Sequence, residues 1–382
     1  MEWANDHCVR SWLTINSLAL RTALGFLLFA LYDCSPTLPP YSEAAADQKI
    51  IEWGWGTPNP VYVRDHVRDM EKLPFDGLVL DLTANGQPSD TGHQFSWKVW
   101  DARTLSAEDY SEHILALKAT RFERFTDNFL RFNVTPGEID WYDQEFNSVL
   151  ANARLAARIA KESRLKGLLV DVEHYGGKPF NYGSQRQKGS HGFAEYQQQV
   201  RQRGRAFMQA LSAEYPDITI LLTYGYHAAY YKLGLFKSLE SAEYGLLPPF
   251  LDGLLEAASP GMLIFDGWEY AYGYQDETQF KKAYDTMMRE DLEHSATKDQ
   301  FRQHYRTSFG LWIDNKHQWD TQNFSNNYFS PAAFEESLRL ALQYTDRYVW
   351  IYSENARWWE GKVPQAYIDA LKRAREQSLR GQ

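Results

Sequence analysis

The chain has 382 residues, a formal net charge of −10, and 44% hydrophobic and 24% charged residues, a composition that fills a sizeable core and excludes a disordered polymer. The negative balance offers no basic field to a phosphate backbone, which excludes nucleic acid as a partner. Thirteen Trp, 24 Tyr and 21 Phe raise the aromatic share to 15%, more than a core needs, and Trp and Tyr suit half-wet binding surfaces.

Residues 1–45 read as a leader with a short spacer. Arg10 and Arg21 precede an apolar run over 23–32 that is too short to span a bilayer and has the character of a secretory signal peptide. Both cysteines, Cys8 and Cys34, fall here, so the domain expected over 46–382 has no thiol for a disulfide, a metal or a nucleophile. Leu31-Tyr32-Asp33-Cys34 resembles a lipoprotein cleavage box, which implies a lipid on Cys34 and a membrane anchor. The leader predicts an exported protein, in the periplasm, outside the cell or lipid-anchored at its surface.

From Lys49 onward, short β-rich runs alternate with amphipathic helical stretches, the pattern of a parallel sheet. Eight runs are expected, over 50–56, 77–82, 125–134, 167–175, 218–226, 262–268, 308–314 and 348–354. Between them, Val149, Leu150, Ala153, Ala156, Ala157 and Ala160 make one helical face. Ser330-Pro331 supplies an N-cap and an N1 proline ahead of Phe334, Leu338, Ala341 and Leu342, and Pro364 opens a last helix through Tyr367 and Leu371. Eight repeats predict a single closed (β/α)8 TIM barrel rather than an open doubly wound sheet. Active sites of such barrels lie at the C-terminal strand ends. The loops expected there hold Trp97 and Trp100, Trp319, and Trp358-Trp359, which is how a binding face is expected to look.

The fourth run, Gly167-Leu168-Leu169-Val170-Asp171-Val172-Glu173, ends in two acids at i, i+2. Alternation puts both on one face, with Cα atoms ~6.6 Å apart on an extended strand, close enough for one carboxyl to raise the pKa of the other. A raised carboxyl holds a proton at neutral pH and can give it to a leaving alkoxide. Other strand ends supply Asp81, Asp266, Glu269, Asp314 and Glu354, and aromatic groups Trp53, Trp55, Tyr224, Tyr226, Trp268 and Trp350. Of these, Asp266 first and Glu269 second are the expected partners of Glu173 across a scissile bond, and the remainder are expected to bind sugar hydroxyls or stack on sugar faces.

Gly167, Asp171 and Glu173 match the chitinase-type signature Asp-Gly-x-Asp-x-Asp-x-Glu on the fourth barrel strand, with Lys166 and Leu169 standing at its two earlier acidic positions. That resemblance implies Glu173 as general acid/base and Asp171 as the group orienting a substrate acetamido. Phrases such as Trp53-Gly54-Trp55-Gly56-Thr57-Pro58 and Tyr348-Val349-Trp350-Ile351-Tyr352-Ser353-Glu354 resemble exported bacterial glycosidase-like barrels of uncharacterised substrate. A resemblance to α-galactosidase-like barrels would instead make Asp171 the nucleophile and Asp266 the acid, and the sequence leaves that choice open.

The expectation is a glycoside hydrolase acting on an extracellular or cell-envelope polysaccharide through carboxylate acid/base chemistry, without cofactor. The alternatives are a carbohydrate-binding barrel without turnover and, less favoured, a metal-dependent barrel hydrolase. His174 and His227 follow strands, but no His-x-His pair stands on the first run and no HExxH occurs, so no metal is expected. GxGxxG, GxxxxGK[ST] and GxSxG are absent, which leaves nucleotides and a serine nucleophile without support.

Overall fold

The computed structural model describes residues 47–231, 233 and 238–380; the leader over 1–45 and Cys34 lie outside them. Eight parallel strands, β1 (Lys49–Gly54), β2 (Gly77–Leu80), β3 (Phe129–Asn133), β4 (Gly167–Asp171), β5 (Thr219–Leu222), β6 (Leu263–Asp266), β7 (Tyr305–Trp312) and β8 (Tyr348–Ser353), pair in sequence order. β8 returns to β1 in a register that runs from Lys49 opposite Tyr348 to Gly54 opposite Ser353. The barrel is closed, with helices around it.

Period-two alternation divides the strands between two cores. Ile51, Trp53, Val79, Phe129, Leu169, Leu221, Phe265 and Trp350 fill the lumen, while Ile50, Leu80, Leu130, Val170, Leu222 and Ile351 face the helical layer. Gly310 exists for the lumen's largest side chain: a Cβ there would come within 2.3 Å of the Trp350 indole. Trp350 is fully buried, and its Nε1–H donates to Gly267 O at 3.0 Å.

The helix Phe146–Glu162 buries Val149, Ala153, Ala156, Ala157 and Ala160, as its spacing predicts, with Leu150 half-buried. Ser330 caps Pro331–Tyr344 by accepting from the Ala333 N–H at 3.2 Å. Tyr367 and Leu371 are the buried side of Gln365–Arg380.

Most of the strands stop earlier at their C-terminal ends than the β-rich runs suggest, and the acids there are a main cause. Asp171 takes the Glu173 N–H at 3.1 Å and Asp266 takes the Trp268 N–H at 3.0 Å, so those donors leave the ladder for a side chain. β3 starts four residues later than expected because Asn128 accepts from the Leu78 N–H at 3.1 Å and Asp127 accepts from Tyr348 Oη at 2.7 Å.

The Trp-rich loops divide in the same way. Trp97 faces the barrel mouth, but Trp100 packs among Phe132, Trp141, Phe146 and Phe207, and Trp358 packs edge-on to Phe75; both are core residues.

Candidate active site

At the C-terminal mouth of the barrel lies a cavity of about 660 Å³. Its wall takes Trp53 and Trp55 from the end of β1, Asp81 from β2, Arg131 from β3, Glu173 and Tyr175 from beyond β4, Glu269 and Tyr272 from beyond β6, and Trp312, Tyr352 and Glu354 from β7 and β8. Strands from around the ring thus converge on one space, as the closed barrel requires of any site at its mouth.

The floor is a buried ion pair. Asp171 is fully buried, and Arg131 Nη2 reaches its Oδ2 at 3.0 Å while Nε donates to Asn133 Oδ1 at 2.9 Å. The guanidinium lies over both the Trp53 and Trp97 rings, 5.3 Å from each centroid, so its faces are covered by π-density and its charge is met by Asp171. Asp171 also accepts from the Glu173 N–H and from Tyr175 Oη at 2.9 Å. It does not reach the cavity wall.

Glu173 is held by two tyrosines. Its Oε2 contacts Tyr175 Oη in a short hydrogen bond, and its Oε1 accepts from Tyr224 Oη at 3.3 Å. Tyr175 has one proton to share between two carboxyls, so its second contact closes only if one of them is protonated. Asp171 faces Arg131, whereas Glu173 faces the cavity. Burial first, and then the charge of Asp171, push Glu173 up from the usual carboxylate range.

Glu269 is 8% exposed and its Oε2 has no hydrogen-bond partner. Burial raises its pKa well above the ordinary value, with further upward pressure from Glu173 and Asp171, against hydrogen bonds from Tyr272 and Tyr224. Burial, the first of these causes, remains whichever carboxyl holds a proton, and Glu269 is the more deeply buried and the more strongly raised of the two. Tyr224 donates to Glu173 Oε1 and also lies near enough to Glu269 to act on its carboxyl, so the two acids are neighbours on the cavity wall.

Several expected site residues are placed elsewhere. Asp266, the first-choice partner of Glu173, is fully buried off the cavity, with Oδ2 accepting from Tyr305 Oη at 2.8 Å and Oδ1 from the Trp268 N–H. It packs so closely on Gly225 that a Cβ there would meet its Oδ2 at 2.1 Å. Burial raises its pKa to about 6. Asp314 is fully buried too, accepting from Trp312 Nε1 at 2.8 Å and from the backbone N–H groups of Glu354, Asn355 and Ala356. It caps the turn after β8. Tyr226 points outward and donates to Asp252 at 2.8 Å. Trp268 is a buried left-handed residue at φ 39° stacked on His227 at 4.9 Å, and Trp350 is the lumen plug. These five lie off the cavity because a strand end has two faces, and the residue's own hydrogen bonds decide which it takes. Trp53, Trp55, Asp81, Glu173, Glu269 and Glu354 are brought together, with Tyr224 touching Glu173 from outside the wall.

Arg131, Tyr175, Tyr272, Trp312 and Tyr352 complete the wall without having been expected there. Two carried a signal: Arg131 shares the inward parity of Phe129 within an apolar strand, and Tyr175 continues the i, i+2 face of Asp171 and Glu173. Among the described residues no group of three or more His, Cys, Asp or Glu side chains is placed to hold a metal ion.

No protein-family model and no curated protein matches the chain. Solved structures with a similar course of chain include a family 18 chitinase from Pseudoalteromonas aurantia, 15% identical over 86% of this chain and 100% of that one, with a TM-score of 0.41. An endocellulase from Pyrococcus horikoshii, determined with cellotetraose, is 13% identical over 86% of this chain and 92% of its own, with a TM-score of 0.44. A glycoside hydrolase family 5 enzyme from Prevotella bryantii, determined with a xyloglucan tetradecasaccharide, is 9% identical over 88% of this chain and 98% of its own, at 0.47. These neighbours are glycoside hydrolase barrels.

Proposed function

We propose that the protein is a glycoside hydrolase in which Glu173 is the general acid and Glu269 the opposing carboxylate. The observation that carries this reading is the Tyr175 hydroxyl between Asp171 and Glu173. On this reading it keeps a proton at the carboxyl that faces the cavity, with Asp171 behind it on Arg131. A donor kept protonated at neutral pH is what departure of a sugar alkoxide needs.

Carboxyl spacing distinguishes two reaction classes. Retaining glycosidases set their carboxyls about 5 to 5.5 Å apart and inverting ones about 6.5 to 9.5 Å. We assign this pair to the closer class, in which Glu269 attacks the anomeric carbon, the glycosidic oxygen leaves with the Glu173 proton, and Glu173 then deprotonates the water that releases the sugar. The aromatic wall of Trp53, Trp55 and Trp312 suits the apolar faces of sugar rings. The engagement of Asp171 by Arg131 and Tyr175 argues against its reaching for an acetamido group, as the chitinase-type resemblance implies. Export through the leader over 1–45 is part of the same proposal and would give the enzyme an extracellular or envelope glycan.

A panel of polysaccharides with the first-formed anomer followed by NMR tests the whole reading. Hydrolysis with retained configuration, lost in Glu173→Gln and in Glu269→Gln, is the expected result. Inverted configuration would remove Glu269 as nucleophile, and tight binding with no hydrolysis of any member would leave a carbohydrate-binding barrel.

A further inference from the structure

The cavity wall carries five carboxyl side chains, Asp81, Asp90, Glu173, Glu269 and Glu354, and among the described residues lining it Arg131 is the sole cation. That cation is already spent. Its edge goes to Asp171 and Asn133, and both of its faces go to Trp53 and Trp97. A uronate or sulfated sugar entering here would bring a further negative charge to a wall whose carboxyls have only His93, beside Asp90, and His317, beside Glu354, as further basic partners, at a cost that burial magnifies.

Two observations point to the opposite charge. The first is Glu269, 8% exposed, lining the cavity, with one oxygen that meets no donor. Such a buried acceptor is costly until a ligand supplies a donor. The second is Trp55, 63% exposed at the lip. Beside it on the wall, the Tyr352 hydroxyl donates to Glu354 Oε1 at 3.2 Å. His317 takes the other Glu354 oxygen at 2.7 Å from outside the wall. Strand order β8, β1, β2 sets Glu354 on one side of that open aromatic face and on the other Asp81, whose oxygens already accept from the Leu82 and Ser96 N–H groups and from Ser96 Oγ. An aromatic face flanked by carboxylates attracts an organic cation through both the ring quadrupole and direct charge.

We propose that this cavity takes a glycan bearing free amino groups, a de-N-acetylated hexosamine polymer, with an ammonium group held by Glu354 beside the Trp55 face. The proposal rests on the hydrolase reading and specifies its substrate class. Neutral hydroxyls would satisfy Glu269, but only an ammonium also offsets the charge of the wall. Charge-assisted hydrogen bonds are roughly twice as strong as neutral ones, so the amine discriminates against the acetamide it replaces.

The test is calorimetric titration of the Glu173→Gln protein at about pH 6, where hexosamine amines are largely protonated, with hexamers of glucosamine and of galactosamine, their N-acetylated counterparts, and oligogalacturonate. One of the two amino hexamers should bind at least tenfold more tightly than its acetylated form, about 1.4 kcal/mol, and the margin should shrink with added salt. Adding Glu354→Gln should weaken the amino hexamer alone. Adding Trp55→Ala, which changes an exposed side chain and so spares folding, should weaken amino and acetylated hexamers alike. Equal or tighter binding of the acetylated or uronate ligands, or no binding of either amino hexamer, overturns the proposal. If the wild-type protein cleaves a neutral glycan while showing no preference for amines, the substrate class is wrong and the Glu173–Glu269 pair stands. If Glu173→Gln turns over an amino glycan at full rate, the catalytic reading is wrong although the cation site survives.

Discussion

Acids close several strands of this barrel, and they do so in two different ways. Asp266 and Asp314 sit at the ends of β6 and β7 with both carboxylate oxygens engaged by neighbouring N–H and O–H groups. Glu173 and Glu269, a few residues beyond β4 and β6, face a cavity, one held by two tyrosine hydroxyls and the other with an oxygen that meets no hydrogen-bond partner. The first pair has done its work when the chain is folded. The second pair is incomplete until something enters. Hydrogen-bond satisfaction, rather than position at a strand end, separates an acid that holds the barrel from one available to react.

Exchanging the chemistry of each pair should break this contrast in opposite directions. Glu173→Gln keeps the volume and removes the proton donor, so turnover of a cleaved glycan should fall by ~10² to 10⁴, with little change in melting temperature. A parallel loss of thermal stability would move Glu173 into the structural class.

Glu52 gives the next largest effect and belongs to the structural side. It is buried under Trp359, whose Nε1–H reaches it at 3.1 Å, and burial raises its pKa to about 7. A carboxyl whose folded pKa lies above its unfolded value stabilises the fold while protonated, and that contribution is lost as pH rises from about 4.5 through 7. Wild-type protein should therefore lose on the order of 3 kcal/mol between pH 4.5 and 8 through this group. Glu52→Gln should flatten that slope in denaturant titrations, and an unchanged slope would refute the assignment.

Asp314→Asn removes an acceptor from donors that stay buried, which costs about 1–3 kcal/mol. The midpoint of chemical unfolding should drop while the remaining folded fraction keeps its specific activity. The smallest effect is expected from Asp266→Asn: activity within about threefold of wild type, for an acid that makes its hydrogen bonds off the cavity. A fall of ~10² in turnover at unchanged stability would return Asp266 to the reaction.

The barrel was legible because each strand is short, apolar and followed by a helical face, and those are local signals. Ser330-Pro331 and the Val149 to Ala160 face reached the structure unchanged. The site was legible in part. Asp171 and Glu173 announced themselves as two acids on one strand, but their roles diverge through Arg131, forty positions earlier, a contact that no local pattern contains. Asp266 was expected ahead of Glu269, since no local pattern carries the left-handed turn at Trp268, and it is Glu269 that lines the cavity. Tryptophan was the weakest guide. An indole has the same composition value in the lumen, as Trp350 does, or on the lip, as Trp55 does, and only the arrangement of neighbours such as Gly310 decides.

That uneven distribution makes the molecule its own optical sensor. Among the described residues Trp55 is the one exposed tryptophan, at the edge of the cavity, while Trp53, Trp100, Trp141, Trp268, Trp350 and Trp358 are shielded from solvent. Among the described residues the red edge of the emission then belongs chiefly to Trp55, with a smaller share from the half-buried Trp97, Trp312, Trp319 and Trp359. A ring laid on that indole excludes water from it and shifts the emission to the blue, whereas a molecule adsorbed elsewhere on the barrel leaves the colour unchanged.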